Sequence, residues 1–257
     1  MAPNRKAVKT AFVHVPKCGG QSFDEHLQYV YDGHPQLDIF DKPYGAVYDL
    51  ADFDRLPREK ITSYSCIRGH VPFANYRAKM TEADMEDYFF IAVLRNPVDF
   101  MISLYSYVKK SPEHPDYAWI KDATLKDFFV RQQATSYQSW FVSGATDFET
   151  ARSTLEQYYS GFCILDDLSE FSALYYRFMN KAGGDERSRT NVSQSDKYLE
   201  EISAGDLGWL TESMFDDVLL TSWVKDNWRE HTRKAMVKRW GSDLTEDAFE
   251  EIELQGV

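Results

Sequence analysis

The sequence predicts an α/β protein with a mostly parallel central sheet flanked by helices. Short apolar runs rich in β-branched or aromatic residues occur at 11–15, 88–94 and 161–165, and a segment with helical spacing follows each of them. Such runs are typical of buried strands, and strands that alternate with helices favour a parallel sheet covered on both faces. The 257 residues contain no recognisable linker or repeat, so we predict a single domain over residues 1–257.

The individual elements follow from local pattern and turn residues. We predict strands at 11–15, 64–67, 88–94 and 161–165, helices at 21–30, 98–109 and 124–143 and after Asp167, and loops at 31–60 (with one short helix), 111–117 and 183–197. Pro97 fits the first turn of its helix, where a missing N–H has no cost. Residues 10–200 are expected to form the core of the domain, and residues 201–257 a helical region with an acidic tail.

Composition excludes several classes of function. The formal net charge is −12, from 41 acidic and 29 basic residues, which argues against nucleic acid and anionic membranes as partners. A few lysines and arginines can still hold a small anion. Three cysteines without a CxxC pair, and no signal peptide, predict reduced thiols in the cytoplasm. No apolar run approaches eighteen residues, so no membrane span is expected.

The first candidate site is the segment Pro16–Ser22, which lies between a predicted strand and a predicted helix. Glycines allow a tight turn whose N–H groups point at an anion, and the helix adds its positive end. Lys17 supplies a full charge and Ser22 a hydroxyl donor. The lysine precedes the glycines, so this is not a Walker A loop, in which lysine follows them. A plain strand–helix turn with a surface lysine remains open on this segment alone.

A second candidate, Leu94–Ser103, follows the clearest strand. The strand delivers Arg95 to its carboxyl end, where ligands collect in open α/β sheets, and Ser103 lies two turns along the next helix. Arginine holds a phosphate in a bidentate fork, and serine adds a hydrogen bond. Alternatively, Arg95 pairs with a nearby carboxylate such as Asp99, and Ser103 is an ordinary helical serine.

The third candidate is His70, which follows Arg68 and Gly69 at the end of a predicted strand. Glycine and proline bracket His70 where a ligand can reach it, and histidine ordinarily titrates near neutral pH, as suits a general base. The other five histidines are interpreted as structural or merely exposed, namely His14, His26, His34, His114 and His231.

Together these segments resemble the sulfotransferase family that includes heparan sulfate 2-O-sulfotransferase and its bacterial relatives. The family's PKTGG-T-S-like loop, GH-V-x-F segment and LR-[DN]-P…S strand–helix correspond, in the same order, to Pro16–Ser22, Gly69–Phe73 and Leu94–Ser103. Asn191-Val-Ser193 is similar to a late N-V-S loop of the family, and Leu165–Leu168 to its strand–helix junction. The resemblance spans about residues 10–200, which would form the nucleotide-binding and catalytic core, and implies a P-loop-like sulfotransferase fold.

The resemblance implies a donor, an acceptor and a set of roles. The donor would be PAPS (3'-phosphoadenosine 5'-phosphosulfate), with PAP as product and no metal, and the acceptor a hydroxyl of a small molecule or glycan. His70 would be the general base, and Lys17 would stabilise the leaving group. The residues implied to bind the nucleotide are Lys17, Cys18, Gly19, Gly20, Gln21, Ser22, Arg95, Ser103, Asn191, Ser193 and Lys197.

This sequence departs from the family pattern at three positions. Cys18 replaces a threonine and Gln21 another small polar residue, whereas main-chain contacts survive both changes. Asn96 replaces a common aspartate, a change expected to affect local capping only. A cysteine at a helix N-terminus sometimes has a lowered thiol pKa. We favour instead a threonine substitute without a redox role.

Two other classes of function remain open. A P-loop-type nucleotide-dependent kinase would need a Walker lysine and carboxylates for Mg²⁺, for which Asp166 and Asp167 are available. A non-catalytic nucleotide-binding module would keep the fold without turnover, although the presence of Lys17 and His70 argues against it. Candidates for the acceptor side, which are equally compatible with the core, are Tyr44, Tyr48, Tyr117, Trp119, Tyr137 and Trp140.

Overall fold

Five parallel strands form the centre of the fold in the order β2-β3-β1-β4-β5. A computed structural model describes residues 8–40, 48–132, 135–179 and 204–240. The strands are β1 (Lys9–Val13), β2 (Gln36–Ile39), β3 (Cys66–Gly69), β4 (Tyr88–Leu94) and β5 (Tyr159–Ile164). The predicted class, α/β with a parallel central sheet, is therefore confirmed.

Helices connect and cover the strands. Between β1 and β4 they are α1 (Gly20–Val30), α2 (Leu50–Arg55), α3 (Arg58–Ile61), α4 (Phe73–Lys79) and α5 (Glu82–Asp87). Between β4 and β5 they are α6 (Pro97–Lys110), α7 (Tyr117–Ile120), α8 (Leu125–Gln132), α9 (Tyr137–Ser143) and α10 (Phe148–Tyr158). After β5 a 3₁₀ turn (Leu165–Asp167) leads into α11 (Leu168–Phe178), and α12 (Ala204–Ser213) and α13 (Phe215–Trp240) follow.

Strand β4 lies at the heart of the core, and all seven of its residues are buried. Helices on both faces of a parallel sheet account for such a continuous apolar run. A polar contact is buried beside it, where Thr10 Oγ1 lies 2.6 Å from Tyr31 Oη and 2.7 Å from Tyr175 Oη. These mutual hydrogen bonds satisfy hydroxyls that would otherwise be costly to bury.

The long helix α13 packs against the edge strand β5. The buried Trp228 donates from Nε1 to Asp167 Oδ2 at 2.8 Å, which joins the helix to the turn after β5. His231 Nε2 lies 2.6 Å from the carbonyl oxygen of Tyr159 at the start of that strand. Helix α13 is thus part of the packed structure around the sheet, whereas the predicted acidic tail lies outside the described residues.

Most predicted elements are present, with shifts at their ends and two corrections. The run 88–94 is confirmed as β4, while β3 begins two residues later than predicted. The prediction of an irregular 31–60 segment with one short helix was wrong, because it contains β2, α2 and α3. Strand β2 has only four residues, two of them polar, and so leaves no apolar run. The predicted helix 124–143 is two helices, α8 and α9.

The described part of the chain offers neither a membrane-spanning helix nor a cluster of metal ligands. None of the helices there combines the length and apolarity needed to cross a membrane. Within the same residues, no group of three or more histidine, cysteine, aspartate or glutamate side chains is arranged to hold a metal ion.

Candidate functional site

The three sequence motifs follow the carboxyl ends of three neighbouring strands, β3, β1 and β4. Val13 is paired with Gly69 of β3 and with Ala92 of β4, so the carboxyl ends of these neighbouring strands lie side by side. In the strand order, the chain continues from β1 to β2 in one direction and from β4 to β5 in the opposite direction. A crevice outside such a pair of strands is the usual ligand site of an open α/β sheet.

The segment after β1 is a tight turn that leads directly into α1. Lys17 and Gly19 adopt left-handed conformations with φ of 64° and 76°, and α1 begins at Gly20. A lysine with positive φ is uncommon, and such positions cluster at functional sites. A side chain at position 19 would also meet Leu165 Cδ1 at 2.2 Å, which shows that the turn after β5 packs directly against this loop.

Lys17 lies over an aromatic ring that the sequence did not identify. Its Nζ is 4.2 Å from the centroid of the Tyr107 ring, a cation–π contact. Burial lowers the pKa of Lys17, the charge of Arg95 lowers it further, and Cys18 acts weakly in the opposite direction. Tyr107 follows Ser103 by four residues on α6, so the helical period places both on one face.

Arg95 is held at both its main chain and its side chain. Gln138 of α9 accepts from the Arg95 N–H at 2.9 Å and donates to the Arg95 carbonyl at 2.8 Å. The guanidinium donates from Nη1 to the carbonyl oxygen of Lys17 at 3.2 Å. This hydrogen bond places Arg95 directly against the loop, a contact that the sequence did not predict. Ser103 lies buried on α6.

Cys18 is buried at the base of the loop. Burial raises the pKa of its thiol, an effect that the nearby charges of Arg95 and Lys17 only reduce. Its Sγ donates to Gln138 Oε1 at 3.5 Å. The alternative of a lowered thiol pKa is therefore wrong, because desolvation outweighs the helix end and the neighbouring cations.

His70 follows β3 on the other side of β1. Its N–H donates to the carbonyl oxygen of Ile39 at 2.8 Å, and its ring packs edge-on against His14 and Phe40, with centroids 4.9 and 5.2 Å away. The preceding Arg68 is buried and makes a bidentate ion pair with Asp38 at 2.6 and 2.9 Å. This ion pair anchors the strand end that presents His70.

His14, which was interpreted as structural or exposed, links the loop to His70. It is buried, and its Nδ1 lies 3.2 Å from Asp24 Oδ2, a close contact that lacks hydrogen-bond alignment. A side chain at Gly20 would meet its Nε2 at 1.9 Å. The His14 ring therefore fills the space between the start of α1 and the His70 ring.

The other predicted site residues differ in exposure, and some of them lie outside the described residues. Gln21 is exposed and Ser22 half-buried in the first turn of α1. Asn191, Ser193 and Lys197 lie outside the described residues, as does Tyr44. Of the remaining aromatic candidates for the acceptor side, Trp140 is 40% exposed, and the half-buried ones are Tyr48, Tyr117, Trp119 and Tyr137.

The fold is an open parallel α/β sheet with a lysine–glycine loop after β1 and an arginine after β4, in a class of folds whose ligands commonly lie beyond the carboxyl ends of the strands. Residues 5–196 match the model of the sulfotransferase family. Because the match covers well over half of the chain, the protein belongs to the sulfotransferase family and is an enzyme of sulfuryl transfer. No curated protein is significantly similar to the chain.

Proposed function

We propose that the protein transfers a sulfuryl group from PAPS to a hydroxyl of a carbohydrate or small molecule, using His70 as general base. The observation that carries the proposal is the direct contact between Arg95 and the Lys17 loop at the sheet edge, with His70 on the neighbouring strand. Membership of the sulfotransferase family supports the same chemistry.

The donor is bound through its charges. The loop Lys17–Ser22 receives the 5'-phosphosulfate on main-chain N–H groups and the positive end of α1. Arg95 and Ser103 receive the 3'-phosphate, the group that distinguishes PAPS from other adenine nucleotides. Asn191, Ser193 and Lys197 complete the nucleotide site in this proposal. None of these contacts requires a metal ion.

The reaction is an in-line displacement at sulfur. The acceptor oxygen forms a bond to sulfur as the bond from sulfur to the 5'-phosphate oxygen breaks, and that oxygen keeps the electron pair. His70 takes the proton of the acceptor hydroxyl, which contributes about 10²–10⁴-fold to the rate. Lys17 stabilises the charge that develops on the leaving oxygen. Burial lowers the pKa of Lys17, whereas the negative charge of a bound donor favours the protonated ammonium.

One further observation concerns the kinase alternative, and another concerns the location of the protein. Asp167, which a kinase would need for Mg²⁺, already accepts a hydrogen bond from Trp228 at 2.8 Å. The three cysteines are buried and form no disulfide, which supports a reducing, cytoplasmic location as part of the proposal.

Nucleotide binding followed by turnover tests the proposal. PAP and PAPS should raise the melting temperature, ATP with Mg²⁺ should not, and PAP should form from PAPS when a panel of hydroxyl acceptors is supplied. Stabilisation by ATP with Mg²⁺ but not by PAP would replace the proposal with a kinase. Binding of PAPS without PAP formation on any acceptor would indicate a non-catalytic module.

A further inference from the structure

One buried glutamine connects the two halves of the proposed donor site. The Gln138 side chain is completely buried on α9, and its amide bonds the Arg95 main chain in both directions. The same Oε1 also accepts from the Cys18 thiol of the loop. Gln138 therefore contacts both segments that meet the donor, although 43 residues separate it from Arg95 and 120 from Cys18.

A buried carboxylate in turn holds Gln138. Asp217 of α13 is 1% exposed and accepts from the N–H groups of Gln138 and Ser139 at 3.0 and 2.8 Å and from Ser139 Oγ at 2.6 Å. Burial raises the pKa of Asp217, and these hydrogen bonds counteract the increase. A buried carboxylate is costly unless its hydrogen bonds are well made, as they are here.

The helix that supplies this carboxylate lies outside the segment of the chain that matches the family model. The family match ends at residue 196, whereas α13 spans Phe215–Trp240. A connected path of hydrogen bonds nevertheless leads from Asp217 through Gln138 to Arg95 and then to the Lys17 carbonyl. A shift of α9 would consequently move the Arg95 main chain and the guanidinium that it carries.

We propose that Gln138 and Asp217 are positioning residues that hold Arg95 and the Lys17 loop in register for the 3'-phosphate of the donor. This inference rests on the proposed function, because it assumes that Arg95 meets that phosphate. Neither side chain touches the donor. Their effect is on the discrimination between nucleotides with and without a 3'-phosphate, which a purely structural role would leave unchanged.

The experiment compares the dissociation constants of PAP and of adenosine 5'-phosphate, which lacks the 3'-phosphate, for full-length variants by calorimetry. Gln138→Met keeps the size of the side chain and removes its hydrogen bonds. The matched control is Tyr159→Phe, which removes the 3.0 Å hydrogen bond from Tyr159 to Val142 on the same helix without touching Arg95. Melting temperatures are recorded for both variants.

Both substitutions should lower the melting temperature, but only Gln138→Met should reduce the preference for PAP, by about tenfold, because the bonds that aim Arg95 are lost. Asp217→Asn and the milder Ser139→Ala should reduce the preference by smaller factors, and they carry the test if Gln138→Met does not fold. An unchanged preference in these variants would overturn the positioning role. Failure of the unmodified protein to bind PAP would instead overturn the proposed function itself.

Discussion

The two sides of β1 hold their functional side chains in different ways. On the β4 side, Arg95 is fixed by two main-chain bonds to Gln138 and a side-chain bond to Lys17. On the β3 side, the His70 N–H donates to the Ile39 carbonyl, and the His70 ring packs against His14 and Phe40. The proposed donor half is thus tied through its main chain to a distant helix, whereas the proposed base half brings together the rings that follow β1, β2 and β3.

The largest expected effect lies on the β3 side. His70→Ala should lower turnover by about 10²–10⁴-fold, because the general base is lost, and should leave the affinity for PAP unchanged. Steady-state kinetics with PAPS and calorimetry with PAP measure the two quantities. His34→Ala is the matched control, since His34 is exposed and outside the site. Equal turnover in His70→Ala and the unmodified protein would remove His70 from the base role.

The next effect concerns Lys17, in the loop after β1 that contacts Arg95. Lys17→Met should lower turnover by about 10²–10³-fold, because the leaving oxygen loses its charged partner, and should also weaken PAP binding. The combined loss would distinguish the donor half from the base half, where only turnover changes. Lys17→Arg keeps the charge and serves as the control. Unchanged kinetics in Lys17→Met would show that the lysine does not act on the donor.

The packing of the His14 ring against Gly20 at the start of α1, between the donor half and the base half, offers a third test. Gly20→Ala places a methyl group 1.9 Å from His14 Nε2 and should lower the free energy of unfolding by about 1–3 kcal/mol. Gly208→Ala on α12 meets no atom within 4 Å and should raise it by about 0.5–1 kcal/mol, since alanine favours the helix. Urea denaturation measures both. Equal stability of the two variants would contradict the close packing of His14 against α1.

The smallest expected effect is a dependence on pH. The pKa of Lys17 is lowered by burial and by Arg95, so the ammonium loses its proton at a lower pH than an exposed lysine does. Bound phosphate favours the charged form, and PAP affinity should therefore fall as the pH rises through that lowered pKa, at pH values where an exposed lysine is still charged. Calorimetry over this range should show a flatter profile for Lys17→Arg, which remains charged. Identical profiles would exclude Lys17 as the cause.

Local pattern predicted the parts of the molecule whose determinants lie close together in the chain. The seven apolar residues of β4 and the lysine–glycine turn after β1 indicated both the sheet and the loop. The position of Arg95 at the carboxyl end of a strand was predicted from the pattern, whereas its contact with the Lys17 carbonyl was not.

What the sequence did not predict depends on distant contacts or on burial. The Gln138–Arg95 and Asp217–Gln138 bonds join positions 43 and 79 residues apart, and no local spacing indicates either of them. The raised pKa of Cys18 required knowledge of its burial. Tyr107 is an intermediate case, because its spacing from Ser103 on α6 was visible, whereas its contact with Lys17 was not.

A structure of the protein with PAP bound tests the proposed donor site most directly. We expect the 5'-phosphate on the Lys17–Ser22 loop and the 3'-phosphate within hydrogen-bond distance of Arg95 and Ser103, with the His70 ring facing the space beyond the 5'-phosphate. PAP bound with its 3'-phosphate remote from Arg95, or away from the loop altogether, would contradict this expectation.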